Sequence, residues 1–509
     1  MGINRRSLVL AILTGLVSVS AWAESSEQDI IVRYRGPQNH DSEGIKKTLK
    51  RARSAKIRKD PELRIINSEE GLVRLRFTSR EEAAEVLKVL DGADEIMSVA
   101  PNLLYRPQLS LEMKEQMAEF AEEETLEDTF LRAPFAGAGG ADVTPSTNPA
   151  VNLAPLHITA GTDPLAMQDW ALQKIDLPTV ESLGVNSATK TGIITAVIDT
   201  GIDYNHEDLS GALWRSPQDP RVIGYDFAHD TTQPYDNVHF DVAGCMKNKV
   251  CKTGQNDSQF LVNPGHGTHC AGHVGAVANN SVGIRGVGAG TQIMGLKFFY
   301  DYGEMNAGQG DDTASIRSID YAIANGVKVI SASWGGRVPR FQAERSEMKQ
   351  ALLRAQQAGI IFVVAAGNDS TDQDNDPNPS YPAAYNLDNM IVVAATDQND
   401  VMANFSGYGA KSVHIAAPGV KIFSTVAGNK YGDVVARFKG PKGKITEMDW
   451  DGTSMATPIV AGAVALVWSK HPDEPYQKIR ARILNSARPV AGLKTATGGV
   501  LDVAAALKQ

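Results

Sequence analysis

Short, almost continuous apolar runs that alternate with helix-period stretches constrain the fold of this chain more than any other feature. The runs comprise residues 193–198, 327–331 and 361–365. Such runs are typical of strands that are buried on both faces of a parallel sheet. Stretches with helical periodicity lie between and after them, at residues 313–325, 343–357 and 455–468. This alternation predicts an α/β domain with a doubly wound, mainly parallel sheet over residues 166–509.

Composition narrows the class of protein further. Of 509 residues, 42% are hydrophobic and 21% are charged, which excludes wholesale disorder. The formal net charge of −9 argues against a nucleic-acid partner. Residues 107–165 alone carry a net charge of −8. This stretch is acidic at first and then rich in Gly, Ala, Pro and Thr, so we expect a flexible linker there.

The first 23 residues have the pattern of a secretory signal peptide. Arg5 and Arg6 precede an apolar run of 12 residues, which is too short to cross about 30 Å of hydrocarbon. Ala21-Trp22-Ala23 has the small-x-small pattern of a cleavage site, and an uncleaved anchor is the alternative. No later segment has 18 consecutive apolar residues, so we expect export, to the periplasm or the exterior, and no membrane span in the mature form.

Residues 24–106 have the pattern of a small α+β unit. Strand and helix candidates alternate as β-α-β-β-α-β, at residues 30–34, 42–55, 63–66, 71–77, 81–90 and 96–100. This order is typical of a ferredoxin-like sandwich. Taken alone, it says nothing about function.

Four polar residues lie at the ends of predicted strands or at the starts of predicted helices. Asp199 and Asn368 each follow an apolar run, and Ser454 begins the last helix pattern. His266 lies between glycines, which suggests a helix start with an exposed imidazole. Each residue has an ordinary interpretation as a cap or turn residue, but sites in doubly wound domains form at these strand ends. The pattern therefore indicates either four local caps or one catalytic site.

A zinc site is the alternative for the histidine segment. His266 and His269 are separated by three positions, and no Glu lies between them. The helical metalloprotease pattern needs a four-residue spacing with that Glu. The pattern therefore argues against zinc.

Residues 166–509 resemble the subtilisin-like serine proteases, in particular their thermitase-like members. The Asp, His, Ser order along the chain is the subtilisin order. The motifs that carry the resemblance are Asp199-Thr200-Gly201-Ile202-Asp203, Gly265-His266-Gly267-Thr268-His269-Cys270-Ala271-Gly272, Ala365-Ala366-Gly367-Asn368 and Gly452-Thr453-Ser454-Met455-Ala456-Thr457-Pro458. The resemblance implies that Ser454 is the nucleophile, His266 the general base and Asp199 its orienting carboxylate. It further implies an oxyanion hole formed by Asn368 and the Ser454 N–H.

The resemblance also implies how a polypeptide substrate binds. The substrate would add as an antiparallel strand beside Ser333, Trp334 and Gly335. The primary specificity pocket would be formed by Ala366 and Gly367, with Ser380 near its base. These residues are small and uncharged, so we expect broad endopeptidase activity with a preference for large apolar side chains at the cleaved position.

Calcium is the cofactor that the resemblance implies, in a structural role. The implied oxygen ligands are the side chains of Asp208, Asn280 and Asp163 and the carbonyls of Val277, Val282 and Ile284. A second acidic loop contains Asp369, Asp372, Asp374 and Asp376. We interpret it as a solvated surface loop, with a further calcium site as the alternative.

Residues 24–106 precede the protease domain. This position, together with the resemblance, implies that they are an inhibitor-type propeptide that also assists folding. The expected protein is a monomeric, self-processing, exported endopeptidase. An extra loop at residues 225–264 contains Cys245 and Cys251, which could form a disulfide, while Cys270 is expected to be a buried free thiol. This loop lies beside the cleft in the implied fold, so a selective processing protease is an alternative.

Two further alternatives involve other functions. A non-catalytic peptide-binding relative would lack a triad residue, and none is missing. A lipase-type hydrolase would need Gly-x-Ser-x-Gly, from which Ala456 departs at the last position.

Overall fold

The computed structural model divides the chain into two compact units, residues 1–104 with 338–346 and residues 105–337 with 347–509. The residues that it describes are 25–34, 61–67, 71–90, 96–107, 162–182, 191–239, 263–301, 304, 307–439 and 445–509. The predicted signal peptide, the helix at 42–55, most of the linker and the predicted Cys245–Cys251 disulfide lie outside these residues.

The first unit contains an antiparallel sheet and a helix. Its elements are β1 (Ser25–Tyr34), β2 (Glu62–Asn67), β3 (Leu72–Arg76), α1 (Arg80–Leu90) and β4 (Ile96–Pro107), of which residues 105–107 belong to the second unit. The strand order is β4-β1-β3-β2, and Val32 lies opposite both Val73 and Val99. The buried side chains of Ala83 and Val86 face the sheet from α1, as the i, i+3 spacing predicts.

Strand β4 is longer than the sequence pattern predicts. It continues to Pro107, whereas the prediction ends at residue 100. Pro101 and Pro107 argue against a strand because proline cannot donate to a ladder. In the structure Pro101 lies opposite Ile30, and Asn102, Leu103 and Tyr105 are buried.

The strands of the second unit follow in chain order. They are β5 (Ile194–Asp199), β6 (Gly224–Asp226), β7 (Gln292–Lys297), β8 (Gly310–Asp311), β9 (Val329–Ala332), β10 (Trp334–Arg337), β11 (Ile361–Ala365), β12 (Ser380–Tyr381), β13 (Met390–Thr396), β14 (Ile415–Pro418), β15 (Ser424–Val426), β16 (Lys430–Gly432), β17 (Val434–Lys439), β18 (Ile445–Asp449), β19 (Arg488–Pro489) and β20 (Gly499–Val500).

The remaining helices are, in chain order, α2 (Trp170–Lys174), α3 (Leu177–Ser182), α4 (His266–Gly275), α5 (Asp312–Ala324), α6 (Arg340–Ala343), α7 (Met348–Gln357), α8 (Thr453–Lys470), α9 (Tyr476–Asn485) and α10 (Val503–Lys508). Helix α6 belongs to the residues grouped with the first unit. None of the helices in the described ranges combines the length and the apolar character that a membrane span requires.

A nine-stranded sheet organises the second unit, in the order β19-β20-β14-β13-β11-β9-β5-β7-β6. Its pairs are parallel except for β19 with β20, so the predicted mainly parallel sheet is confirmed. Strands β9 and β11 are buried along their whole length, as their apolar runs predict, and β13 is buried in the same way. Helix α8 is buried from Thr453 to Trp468, which explains why it is apolar on every side.

The predicted helix over 343–357 is wrong at its start. Helix α7 begins at Met348, and α6 is a separate short helix. Between them the backbone makes tight i to i+3 bonds, from Arg345 N to Gln342 O and from Ser346 N to Ala343 O. Side-chain periodicity cannot distinguish such turns from a continuous helix because both place similar residues on one face.

Candidate active site

Strand β5 and helix α4 bring Asp199 and His266 together. Asp199 ends the strand, His266 begins the helix, and Asp199 Oδ1 lies 2.7 Å from His266 Nδ1. Gly267 permits this approach, because a Cβ atom there would lie 2.1 Å from the Gly201 carbonyl oxygen. The two side chains are each 1% exposed, so the expectation of an exposed imidazole is wrong.

The environment of His266 sets its charge and its tautomer. Burial opposes protonation, but the Asp199 carboxylate outweighs it and raises the pKa of His266 well above its usual range. An Nδ1–H that donates to Asp199 leaves Nε2 as the basic nitrogen. Within the described residues, His266 Nε2 has no hydrogen-bond partner. The ring therefore has one anchored nitrogen and one that can accept a proton.

Ser454 lies in the first turn of α8, close to this pair. Its Oγ donates to the Ser333 carbonyl oxygen at 2.8 Å, and Ser333 Oγ donates to the Ser454 carbonyl oxygen at 2.8 Å. Cys270 Sγ lies 3.9 Å from His266 Nδ1 and 3.6 Å from the Ser454 carbonyl oxygen, so one buried thiol touches both residues. The prediction that Cys270 is a buried free thiol is confirmed.

Asn368 joins the site from the loop that follows β11. Its Oδ1 accepts from Thr453 N at 2.9 Å and from Thr453 Oγ1 at 2.8 Å. Because these bonds hold the amide oxygen, the amide nitrogen is the donor on the opposite side of the group. The N–H of Ser454, in the first turn of α8, lies at the positive end of the helix dipole. The four buried residues Asp199, His266, Ser454 and Asn368 are thus linked by direct contacts and by contacts through Cys270 and Thr453.

A carboxylate and an amide that were not predicted from the sequence hold the histidine. Asn263 Oδ1 accepts from His266 N at 3.1 Å, and Asn263 Nδ2 donates to Asp236 Oδ1 at 2.6 Å. Asp236 is 1% exposed and also accepts from Thr200 Oγ1 at 2.9 Å and Thr268 N at 2.9 Å. Burial raises the pKa of Asp236. Asn263, three residues before a helix, is a cap signal that could have been read in the sequence.

An extended segment lies against the predicted substrate strand. Within the second unit, Pro107 pairs with Trp334 and Arg106 pairs with Gly335 in antiparallel register. Trp334 contributes its backbone edge, whereas its ring is buried and Nε1 donates to the Ile198 carbonyl oxygen at 2.9 Å. The edge of β10 can therefore bind an extended chain.

The predicted pocket residues also lie together. Gly367 has a φ of 101°, and a Cβ atom there would lie 3.2 Å from Ser380 Cβ. Gln373, which the sequence analysis missed, donates to the Ala366 carbonyl oxygen at 2.8 Å and accepts from Ser380 N at 2.8 Å. This glutamine fixes the spacing between the two segments.

The predicted cation ligands form one cluster. Asp208 Oδ1 accepts from Asn280 Nδ2 at 2.7 Å, and Asp208 Oδ2 accepts from Ile284 N at 2.8 Å. Asp163 accepts from Asn280 N at 3.1 Å. Burial, with the nearby Asp163 charge, raises the pKa of Asp208 to about 7. An all-oxygen set with two carboxylates fits a hard divalent cation, which would offset this unfavourable burial of charge.

Two further predicted residues, Val277 and Val282, belong to the same loop. Val277 N donates to the Asp208 carbonyl oxygen at 2.9 Å, and Val282 N donates to Asn280 Oδ1 at 2.8 Å. These bonds hold the backbone of the loop against Asp208 and Asn280.

The second acidic loop is held by donors from the protein itself. Asp374 accepts from Ser412 Oγ at 2.6 Å, and Asp376 pairs with Arg337 at 2.9 Å. Partial burial would raise the pKa of Asp374, but these donors outweigh it and lower the pKa. Burial raises the pKa of Asp208, whereas the pKa of Asp374 is lowered, so a cation would relieve less unfavourable burial of charge in the acidic loop, which favours the surface-loop interpretation.

A parallel α/β sheet with an Asp–His pair and a helix-initiating serine at its strand ends defines a serine hydrolase. The chain belongs to the subtilase family, peptidase family S8, which matches residues 190–501. It is a serine endopeptidase with a subtilisin-like fold, and it acts on polypeptides.

Three relatives illustrate the extent of the similarity. Thermitase from Thermoactinomyces vulgaris is 34% identical over 328 residues, which cover 64% of this chain and 91% of thermitase. Alkaline elastase YaB from Bacillus sp. is 30% identical over 341 residues, or 67% of this chain and 70% of the elastase. An alkaline protease from Alkalihalobacillus alcalophilus is 28% identical over 463 residues, or 88% of this chain and 100% of the protease.

Proposed function

We propose that this endopeptidase cleaves peptide bonds with Ser454 as nucleophile, His266 as general base and Asp199 as the group that orients His266. The observation that carries the assignment is the buried 2.7 Å contact between Asp199 Oδ1 and His266 Nδ1, with Nε2 left unpartnered among the described residues. In the substrate-free structure, Ser454 Oγ donates to the Ser333 carbonyl oxygen rather than to His266. Apo hydrogen bonds of catalytic groups often rearrange when substrate binds.

The proposed reaction has two halves. Ser454 Oγ attacks the peptide carbonyl carbon while His266 Nε2 takes the hydroxyl proton, and Asp199 stabilises the imidazolium that forms. The tetrahedral intermediate collapses, the C–N bond breaks, and His266 gives its proton to the leaving amine. A water molecule then repeats the sequence on the acyl-enzyme and regenerates the serine hydroxyl.

Asn368 and the Ser454 N–H are the proposed oxyanion donors. The charge on the carbonyl oxygen develops only during the reaction, so preorganised donors lower the barrier rather than improve substrate binding. The bonds from Thr453 to Asn368 Oδ1 supply this preorganisation because they fix the amide plane.

Substrates would bind as an antiparallel strand beside Ser333, Trp334 and Gly335. Main-chain pairing of this kind tolerates many sequences. The small residues Ala366, Gly367 and Ser380 leave room for a large apolar side chain at the cleaved position. We therefore expect the enzyme to cleave many sequences, with a preference for a large apolar side chain at the cleaved position.

The rest of the chain fits a self-processing precursor. Residues 1–23 would direct export and be removed, 24–106 would act as a propeptide that inhibits and assists folding, and 107–165 would be the linker. The pairing of residues 106–107 with β10 supports this, because the segment occupies the proposed substrate edge. The mature domain, residues 166–509, would act as a monomer outside the cell or in the periplasm, where Cys245 and Cys251 could form a disulfide.

Calcium is the proposed structural cofactor. Asp208, Asn280 and Asp163 would hold it, with the carbonyls of Val277, Val282 and Ile284. When bound, the ion would neutralise the carboxylates and join the loop at 277–284 to the segments around 163 and 208. It would take no part in the chemistry.

The assignment is tested with wild type beside Ser454→Ala, incubated and followed by gel and mass spectrometry. We expect only wild type to shorten, and only wild type to hydrolyse casein. Ser469→Ala, a serine near the other end of α8, is the matched control and should behave as wild type. Shortening of purified Ser454→Ala would remove Ser454 from the nucleophile role.

A further inference from the structure

The segment on the β10 edge runs toward the proposed nucleophile. Pro107 lies opposite Trp334, and the next residue along β10 in that direction is Ser333, whose carbonyl oxygen accepts from Ser454 Oγ. Counted along the segment that pairs with β10, Tyr105 therefore lies two residues farther from Ser454 than Pro107 does. The side chains alternate as in any strand, and Tyr105 points inward, while Arg106 is half-buried.

The Tyr105 side chain occupies a pocket among second-unit residues that include Trp334 and Asp312. It is fully buried, and its ring centroid lies 5.0 Å from that of Trp334. At the far end of the pocket, Tyr105 Oη donates to Asp312 Oδ1 at 2.5 Å, and Asp312 is also fully buried. Burial raises the pKa of Tyr105 well above its usual range, and the Asp312 charge adds to this, so the phenol stays protonated and donates.

Asp312 is not needed to cap its own helix. The neighbouring Asp311 performs that role, since its Oδ1 accepts from Ala314 N at 2.8 Å. Asp311 Oδ2 also accepts from Tyr300 Oη at 2.9 Å. A buried carboxylate is unfavourable unless donors face it, and the Tyr105 phenol is a donor aimed at Asp312.

We propose that Asp312 is a specificity-determining residue, which makes the cleft select substrates with a tyrosine at the position that Tyr105 occupies. This inference rests on the proposed endopeptidase function and names its substrate class. The apolar ring of Trp334 recognises the aromatic body, and Asp312 recognises the hydroxyl. A phenylalanine at the same position would fill the pocket but would remove the hydrogen bond from the phenol to the buried carboxylate, and the loss of a donor to a buried charge is costly.

The test compares two peptides that copy residues 100–113, one natural and one with phenylalanine in place of Tyr105. Processed wild-type enzyme should hydrolyse the natural peptide with a kcat/KM about 10- to 100-fold higher, the size expected for a hydrogen bond to a buried charge. Mass spectrometry of the products fixes the cleaved bond. Asp312→Ala should bring the ratio close to one, and Asp312→Asn, which keeps an acceptor, should retain part of it.

Asp320→Ala is the matched control on the same helix. Asp320 forms a half-buried salt bridge with Arg354, so this variant should keep the wild-type ratio. Equal hydrolysis of both peptides by wild type overturns the inference and leaves the endopeptidase assignment intact. If neither peptide is cleaved and casein also stays intact, the proposed function fails, and the inference fails with it.

Discussion

At the residue scale, the site depends on short polar contacts that would be weak in water. The Asp199–His266 pair is 1% exposed, and Asn368 is held through its oxygen. A buried, preorganised donor stabilises developing charge far more than an exposed one, because no solvent has to reorganise. Two predictions follow from individual side chains.

Replacement of Asn368 by Ala should lower kcat about 100- to 1000-fold and leave KM nearly unchanged. This size is the one measured for the corresponding donor in subtilisin, and we adopt it here. The reason is that the donor acts on the transition state and not on the bound substrate. Steady-state kinetics on processed enzyme check this. A rise in KM at unchanged kcat would contradict the oxyanion role.

His229 should make stability depend on pH. Burial opposes its protonation, but Asp226 at 2.7 Å and Glu304 at 2.8 Å outweigh it and, with the charge of Asp301, raise the pKa to about 10. The unfolded value is about 6.5. A pKa raised by folding adds stability that is complete below the unfolded value and is lost as pH rises through the folded value.

We therefore expect His229→Gln to lower the melting temperature most below about pH 6.5, with the deficit shrinking as pH rises toward 10. The measurement is a set of melting curves in the Ser454→Ala background, which avoids self-digestion. A deficit that stays constant with pH would contradict this account.

At the element scale, the contact of α8 with the loop after α4 positions the nucleophile. Gly462 allows this contact, since a Cβ atom there would lie 2.9 Å from Gly288 N and 2.9 Å from the Val274 carbonyl oxygen. Backbone atoms cannot move aside as the end of a side chain can. The helix that starts at Thr453 is therefore fixed by small residues in its middle.

Gly462→Ala should destabilise the protein by about 1–3 kcal/mol, the usual cost of overpacking. Gly432→Ala is the control, because the nearest atoms to a Cβ atom there are at 3.9 Å, and we expect a change within about 0.5 kcal/mol. Chemical unfolding in the Ser454→Ala background measures both. Equal stability of the two variants would show that α8 can shift to accept the methyl group.

At the scale of the whole molecule, the proposed cation joins parts of the chain that are distant in sequence. Asp163, Asp208 and Asn280 come from three segments, and the carboxylates of Asp163 and Asp208 are partly and fully buried, respectively. An ion that binds the folded state alone stabilises it by about 2.7 kcal/mol when present at 100 times its dissociation constant.

Chelation of calcium should therefore lower the melting temperature of the wild-type sequence in the Ser454→Ala background by several degrees. Asp208→Asn should abolish most of this response. Asp374→Asn, in the acidic loop that protein donors satisfy, should keep it. A melting curve that is the same with and without chelator would exclude calcium from the site at Asp208.

The sequence by itself determined the class of fold and the identities of the residues at its strand ends. Burial on both faces demands continuous apolar runs, so β5, β9 and β11 could be read directly. The motifs around Asp199, His266 and Ser454 are local strings and could be recognised in the same way. Two features could not be predicted in this way, namely the start of α7 and the continuation of β4 through two prolines. Local periodicity does not report backbone hydrogen bonds.

Only the tertiary structure decided which distant groups meet. Tyr105 and Asp312 are 207 positions apart, and Asp236 reaches Thr268 across 32 positions. Their pairing depends on where the crossovers of a parallel sheet return the chain, and no local pattern encodes that. The burial of His266 beside Asp199 likewise depends on the packing of α4 and α8. Residue types define the available chemistry, and long-range packing defines which of these groups act on one another.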